Sequence, residues 1–313
     1  MQVKAHILIP VYNDWKSCRA VLERLDGIEK GQEGINWDYT IVDDGSTDEY
    51  PASLCEEFPG LRIIRLNRNV GHQRAIALGL CYLNEHSPAG PVVVMDGDGE
   101  DKPEDVPALI KASNTHAGRI VFGQRKRRFE SIGFRFFYTL YKWLFLLMTG
   151  QRISFGNFCV IPADRIHGLV HVPDLWNHFS GSIIRSKIPY TTVSLDRGKR
   201  IDGHSKMNFI SLVIHGLSAI AVYTDMLAVR VLLISVSLIL ISLSGILTVT
   251  VIRFFTPLAI PGWASFVVLG FLILIFQAFL ISLFLVFNVL SFRTQRHFIP
   301  AMEYTSFIRE VRP

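Results

Sequence analysis

The order of apolar and polar positions divides this chain into two regimes. In the first, short apolar runs end in clusters of acid, glycine and small polar residues: His6 to Asn13, Tyr39 to Asp43, Leu61 to Leu66, Pro91 to Met95 and Ile120 to Gly123. Each reads as a buried strand, because a strand covered on both faces is apolar throughout rather than alternating. A helix fits Trp15 to about Leu25, and another runs from Asn69-Val70-Gly71-His72 to about Asn84. After Gly45, Ser46 or Thr47 is placed to cap a further helix. Strands alternating with helices at this interval predict an α/β fold with a largely parallel sheet. Such a sheet opens a crevice at the carboxyl ends of its strands, which would gather Pro10, Tyr12, Asp43, Asp44, Asp96 and Asp98.

The second regime is uncharged. Val231 to Ile252 carries no charge, and neither does Phe254 to Phe292. As a helix the first run spans roughly 33 Å, enough for a bilayer core of about 30 Å. Pro257 and Pro261 interrupt the second, so its helix is expected to start near Pro261, after a short loop. Two membrane spans are predicted. Arg230 precedes them and Arg293, Arg296, Arg309 and Arg312 follow, whereas the connecting loop has only Arg253 at its edge. The positive-inside rule then places the N-terminal part and the C-terminal tail in the cytoplasm, on the inner membrane. Met1 to Tyr12 has too short an apolar run for a signal peptide.

Charge and cysteine content change this picture little. The net charge of +5 suits an anionic leaflet, and beside membrane spans it favours lipid over nucleic acid as partner. Cys18, Cys55, Cys81 and Cys159 have no metal or redox spacing and read as reduced core thiols.

The candidate chemistry is concentrated at Val92-Val93-Val94-Met95-Asp96-Gly97-Asp98-Gly99-Glu100. If the strand pleat continues past Met95, Asp96 and Asp98 point to one face, with only Gly97 between them. That pair suits Mg2+ or Mn2+, which takes one or two carboxylates and fills its shell with phosphate oxygens and water. His72, His204 and His215 have no zinc-ligand spacing.

Pro-Val-Tyr-Asn at 10 to 13, Asp-Asp-Gly-Ser at 43 to 46 and Met-Asp-Gly-Asp-Gly-Glu at 95 to 100 resemble, in this order and spacing, the signatures of family 2 glycosyltransferases. With two spans behind the motifs, the whole chain is similar to the polyprenyl-phosphate glycosyltransferases. The resemblance implies a GT-A nucleotide-sugar fold, with Pro10, Tyr12, Asp14, Val42, Asp43 and Asp44 around the donor nucleoside. It gives Asp96, Gly97 and Asp98 to the metal and donor diphosphate. Glu100 stands where the family has Gln, and can serve as a third oxygen ligand. Arg125, Arg200 and Lys206 match family cations that reach phosphates. Asn157 stands where the family commonly has Asp, sometimes assigned as base. An amide cannot take a proton, but a phosphomonoester acceptor with a second pKa of about 6 is already ionised, so Asn157 is expected only to position.

The implied reaction is metal-dependent, inverting, hexosyltransferase-type transfer of one sugar from a nucleoside diphosphate donor, UDP-linked, to undecaprenyl phosphate. It would serve cell-envelope glycans, and the family makes a homo-oligomer an expected state. A processive polysaccharide synthase is the alternative, disfavoured because no Gln-x-x-Arg-Trp element is present; a non-catalytic membrane scaffold is another. The expected organisation is a nucleotide-sugar core over 1–128, the rest of the catalytic domain over 129–226, spans over 227–292 and a tail over 293–313. Two interfacial helices are expected: one from Arg128, with Ser131, Arg135, Thr139 and Lys142 as a polar stripe on an aromatic helix, and one bearing Asn208, Ser211, His215, Ser218 and Asp225 on one face.

Overall fold

The computed structural model describes residues 3–31, 35–48, 51, 53–86, 88, 90–125, 143, 145–147, 150, 156–196, 198, 200–201, 216–256, 262–295 and 298–312. The chain forms two compact units: Met1–Tyr141 with Arg152–Val222 and His297–Pro313, and Lys142–Gln151 with Tyr223–Arg296.

The first unit is an α/β fold on one eight-stranded sheet. Its strands are β1 (Val3–Val11), β2 (Ile35–Asp43), β3 (Leu61–Leu66), β4 (Val92–Val94), β5 (Ile120–Arg125), β6 (Cys159–Ile161), β7 (Tyr190–Leu195) and β8 (Ile308–Arg312), in spatial order β7-β5-β6-β4-β1-β2-β3-β8. β1 is parallel to β2 and β4, β2 to β3, and β5 to β7. The sheet is nevertheless mixed rather than largely parallel. β6 runs antiparallel to β4 and β5, and β8 antiparallel to β3.

Alternation along these strands explains why they are apolar throughout. Leu8, Val42, Ile64, Val92, Val94 and Phe122 face one core layer, under α3 (His72–Glu85) and the later helices. Ile7, Ile9, Ile41, Ile63, Val93 and Val121 face the other, with α1 (Trp15–Gly31). Other helices of this unit among the described residues are α2 (Leu54–Glu57), α4 (Val106–Thr115), α5 (Ala163–Val170) and α6 (Phe179–Arg185), with one more helical turn at Pro300–Glu303. Val42, nominated as a nucleoside contact, has a side chain fully buried in the first layer, where a Cβ on Gly79 of α3 would meet its Cγ2 at 2.7 Å. Only its backbone can serve the crevice. Pro10 is buried as well. Cys18, Cys55, Cys81 and Cys159 are free, and all but Cys55 are buried.

The sheet runs past the expected boundary at residue 128, and the segment expected as a tail supplies its last strand. Glu310 of β8 sits opposite Arg65 and accepts its Nη1 hydrogen bond at 2.9 Å. Asn67 donates its backbone N–H to Phe307 at 2.9 Å, and the Tyr304 hydroxyl bonds Glu85.

The second unit is a pair of antiparallel-connected apolar helices, α7 (Thr224–Phe255) and α8 (Trp263–Thr294), packed on each other. Both are long and apolar enough to cross a membrane. The buried positions of α7, Ala228, Ser235, Ser242 and Val249, recur every seven residues, the seam of a left-handed helix pair. At Gly245 a Cβ would lie 2.4 Å from the Phe271 ring, so that glycine allows close approach. Elsewhere large apolar side chains dominate the surface: Leu233, Ile241, Leu247, Phe255 and Phe266 are exposed. Only 17% and 6% of the two apolar windows is buried, which separates them from core helices of a soluble domain. Residues 145–147 are helical, with Phe145 edge-on to Tyr223 and Arg230 donating to the Leu147 carbonyl. Most of the two expected interfacial helices lies outside the described residues.

Candidate active site

The turns after β1 and β2 are sewn together by small polar side chains. Asn13 adopts a left-handed φ of 48°, a conformation Asn tolerates better than other non-glycine residues. Its N–H donates to Ser46 Oγ at 3.0 Å, and its Oδ1 accepts from the N–H of Thr47 at 2.8 Å. Ser46 and Thr47 therefore serve this seam, and among the described residues neither caps a helix. The next helix, α2, begins at Leu54 with Ser53 at its N-cap.

Asp43 and Asp44 also brace the crevice from within. Asp43 accepts the Ser46 N–H on Oδ1 at 2.9 Å and pairs through Oδ2 with Arg65 Nε at 3.2 Å. Asp44 accepts the N–H groups of Val70 at 2.7 Å and Gly71 at 2.9 Å, fixing the entry to α3. The two are 1% and 3% exposed. Burial pushes the Asp44 carboxyl up to about 6 against the pull of those two N–H groups. Tyr12, by contrast, is exposed.

β4 ends at Val94, and the pleat does not carry through the acidic pair. Instead the chain turns: Asp96 N–H donates to Asp101 Oδ2 at 3.0 Å, Glu100 N–H donates to Asp98 Oδ1 at 2.9 Å, and Gly99 takes a φ of 85°. The other oxygen of Asp98 receives Arg200 Nη1 at 3.1 Å, while Arg200 Nη2 reaches Asp14 Oδ2 at 2.7 Å. One guanidinium thus ties the end of β1 to the end of β4, as its planar fork allows. Its segment lies on the acidic turn, with Gly198 N–H donating to Glu100 O at 2.9 Å and Ile201 N–H to Asp98 O at 3.0 Å. Burial, then the charges of Asp96 and Glu100, raise the Asp98 carboxyl, opposed by the Glu100 N–H and Arg200.

A residue not nominated from sequence completes the crevice. His72, the first residue of α3, places Nε2 3.1 Å from Asp96 Oδ1 and 3.1 Å from Asn157 Nδ2. Burial pulls this imidazole down, but Asp96, with Asp101 and Asp44, outweighs it and the net shift is upward. In sequence Asn69-Val70-Gly71-His72 registers as a helix start, and His72 otherwise only as a histidine without zinc-ligand spacing. The local signal was a titratable side chain directly after a glycine turn at a strand's carboxyl end.

Asp14, Asp96, Asp98 and Arg200 are brought together, and Asn157 joins through His72. Glu100, expected as a third oxygen ligand, lies on the same turn, and among the described residues no group of three His, Cys, Asp or Glu side chains converges to hold a metal. The turn spends Asp98 Oδ1 on the Glu100 backbone N–H. Two carboxylates still fit Mg2+ or Mn2+, which draws its remaining ligands from phosphate and water. Arg125 closes β5, paired with Leu195 of β7. Its side chain and all of Lys206 lie outside the described residues.

The comparisons bear on this arrangement. Undecaprenyl-phosphate 4-deoxy-4-formamido-L-arabinose transferases of Enterobacter sp. (strain 638) and Proteus mirabilis (strain HI4320) are each 28% identical to this chain over 226 and 227 residues, covering 67% of it and 64% of their own length. The match thus spans just under two thirds of those relatives. Among solved structures, mannosyl-3-phosphoglycerate synthase from Rubrobacter xylanophilus superposes with a TM-score of 0.53 at 15% identity, over 72% of this chain and 74% of its own. Glucosyl-3-phosphoglycerate synthase from Mycobacterium tuberculosis, solved with Mn2+, UDP-glucose and phosphoglyceric acid, gives 0.52 at 16%, over 72% and 80%. These two likenesses show the fold, a GT-A-like α/β fold with a mixed sheet. Residues 6–165, about half the chain, match the model of glycosyl transferase family 2, and the chain belongs to that family.

Proposed function

We propose that this protein moves one sugar from a nucleoside diphosphate donor, UDP-linked, to the phosphate of a polyprenol, undecaprenyl phosphate, at a membrane surface. The observation that carries the reading is Arg200 held across Asp14 and Asp98 beside Asp96, in a chain with two helices able to cross a membrane. The names of the relatives, which act on undecaprenyl phosphate, support the acceptor.

Asp96 and Asp98 would hold a divalent cation, Mg2+ or Mn2+, that neutralises charge developing on the departing diphosphate. Arg200, with Arg125 and Lys206, would clamp the phosphate oxygens. Tyr12 and Asp14 border the donor nucleoside, while Asp43 and Asp44 hold the walls. An ionised acceptor phosphate attacks the anomeric carbon opposite the leaving group, so configuration inverts, and Asn157 positions without taking a proton. Strand β8 returns to the unit that the chain leaves before α7, as two crossings require. That supports one side, cytoplasmic by the arginine count, for everything outside the helix pair.

Purified full-length protein would be incubated with Mg2+ or Mn2+, undecaprenyl phosphate and labelled donors. The donors should include UDP-hexoses, which the sequence favours, and a UDP-linked formamido-arabinose, which the relatives' names favour. Label extracted into the organic phase supports the proposal; none with any donor, from folded protein, refutes it.

A further inference from the structure

Both carboxylate oxygens of Asp98 carry a hydrogen bond: Oδ1 accepts the Glu100 N–H at 2.9 Å and Oδ2 accepts Arg200 Nη1 at 3.1 Å. Arg200 is delivered there by its own backbone, since Gly198 and Ile201 on either side of it donate to the carbonyls of Glu100 and Asp98. The seating is close. A Cβ on Gly198 would lie 2.5 Å from the Gly99 carbonyl oxygen, and one on Gly99 would lie 2.5 Å from Ile201 Cγ1. The side chains of Arg200, Asp14 and Asp98 are 22%, 24% and 18% exposed, so solvent screens their charges weakly. A carboxylate oxygen can accept twice, which leaves lone pairs for a cation on Asp98. What opposes that cation is the guanidinium, whose permanent positive charge sits on the same oxygen.

We infer that Arg200 couples the two ligands of the site: paired with Asp98 it competes with a divalent cation for that carboxylate, and a nucleoside diphosphate relieves the competition by drawing the guanidinium onto its phosphate oxygens. The fork that spans Asp14 and Asp98 fits a phosphate equally well. The nucleotide therefore raises cation affinity, and by reciprocity the cation raises nucleotide affinity by the same factor. The inference rests on the proposed reading of Asp96 and Asp98 as cation ligands.

Mn2+ affinity would be measured by electron paramagnetic resonance on the full-length protein in detergent, with and without UDP. Without UDP, Arg200→Ala should bind Mn2+ about tenfold more tightly than wild type, while the same variant loses transfer. Tighter metal beside slower turnover is a split that a merely structural role would not give. Arg200→Lys, which keeps the charge but cannot span both acids, should gain part of that affinity. UDP should also tighten Mn2+ binding less in Arg200→Ala than in wild type, because no guanidinium is left to move. Wild-type or weaker affinity in Arg200→Ala without UDP, an undiminished UDP effect, or Arg200→Lys equal to wild type would each overturn the inference. If the wild-type protein with UDP bound no Mn2+, the cation reading itself would fall, and this inference with it.

Discussion

Acid should unfold the catalytic unit through one histidine far from its chemistry. His6 lies within β1, is 6% exposed, and its ring bonds Thr40 Oγ1 at 2.8 Å. Burial is the main cause that lowers its pKa from 6.5 to about 4; Arg62 and Lys4 add to it and Asp38 opposes. A base with a depressed folded pKa lends stability that is complete above its unfolded pKa and is lost as pH falls towards the folded one. The window therefore opens near pH 6.5 and closes near 4. Linkage between those values gives a loss of about 1.4 kcal/mol at pH 5.5 and about 2.6 kcal/mol at pH 4.5. For a unit of this size that is roughly 5–10 °C in Tm at the lower pH. The assay is thermal unfolding of the full chain in detergent from pH 7.5 to 4.5, beside His6→Gln, which keeps a polar partner for Thr40 and does not titrate. The wild-type curve should fall further by those amounts. If both proteins lose stability in parallel, burial of a neutral His6 is not what the fold depends on.

Other outcomes follow from the same coordinates. Arg200→Ala leaves Asp14 and Asp98 without their shared guanidinium and should lower kcat/KM for transfer by about 100-fold or more, with Arg200→Lys only partly restored because an ammonium cannot span both acids; a loss under tenfold would contradict the clamp. Asp98→Ala should abolish turnover and Asn157→Ala only weaken it, so the reverse ranking in the lipid-extraction assay would overturn the assignment. Gly90→Ala would place a Cβ 1.7 Å from the Lys4 carbonyl oxygen and should cost about 1–3 kcal/mol in urea unfolding, whereas no change would mean that β1 shifts freely at that point.

The parts legible in the sequence are those set by local pattern. β1 to β5 announced themselves because burial on both faces makes a strand continuously apolar. β7, reading Tyr-Thr-Thr-Val-Ser-Leu, and β8, reading Ile-Arg-Glu-Val-Arg, were not seen, since edge strands keep polar side chains towards water. β6 has only Cys159 to Ile161 and no periodicity to detect. Its reversed direction, with that of β8, is what makes the sheet mixed. In the site, the Asp96-Gly97-Asp98 element was legible as a motif, but its turn was not, because the Asp101 bond that shapes it is a side-chain choice. Arg200 with Asp14 and His72 with Asn157 join residues 186 and 85 apart, and no spacing rule connects those. Val42, expected beside the donor from its place next to the motif acids, has its side chain in the core, so its backbone is the part left to border the crevice.

The late position of β8 has a consequence for biosynthesis. Arg65 waits for Glu310 across 245 residues of chain, so the outer edge of β3 stays open while both apolar helices are being made. During that interval an emerging polypeptide presents unpaired backbone groups to any neighbour on the ribosome. Chaperone cover, or rapid delivery to the bilayer, is what would keep nascent copies from joining edge to edge before the last strand arrives.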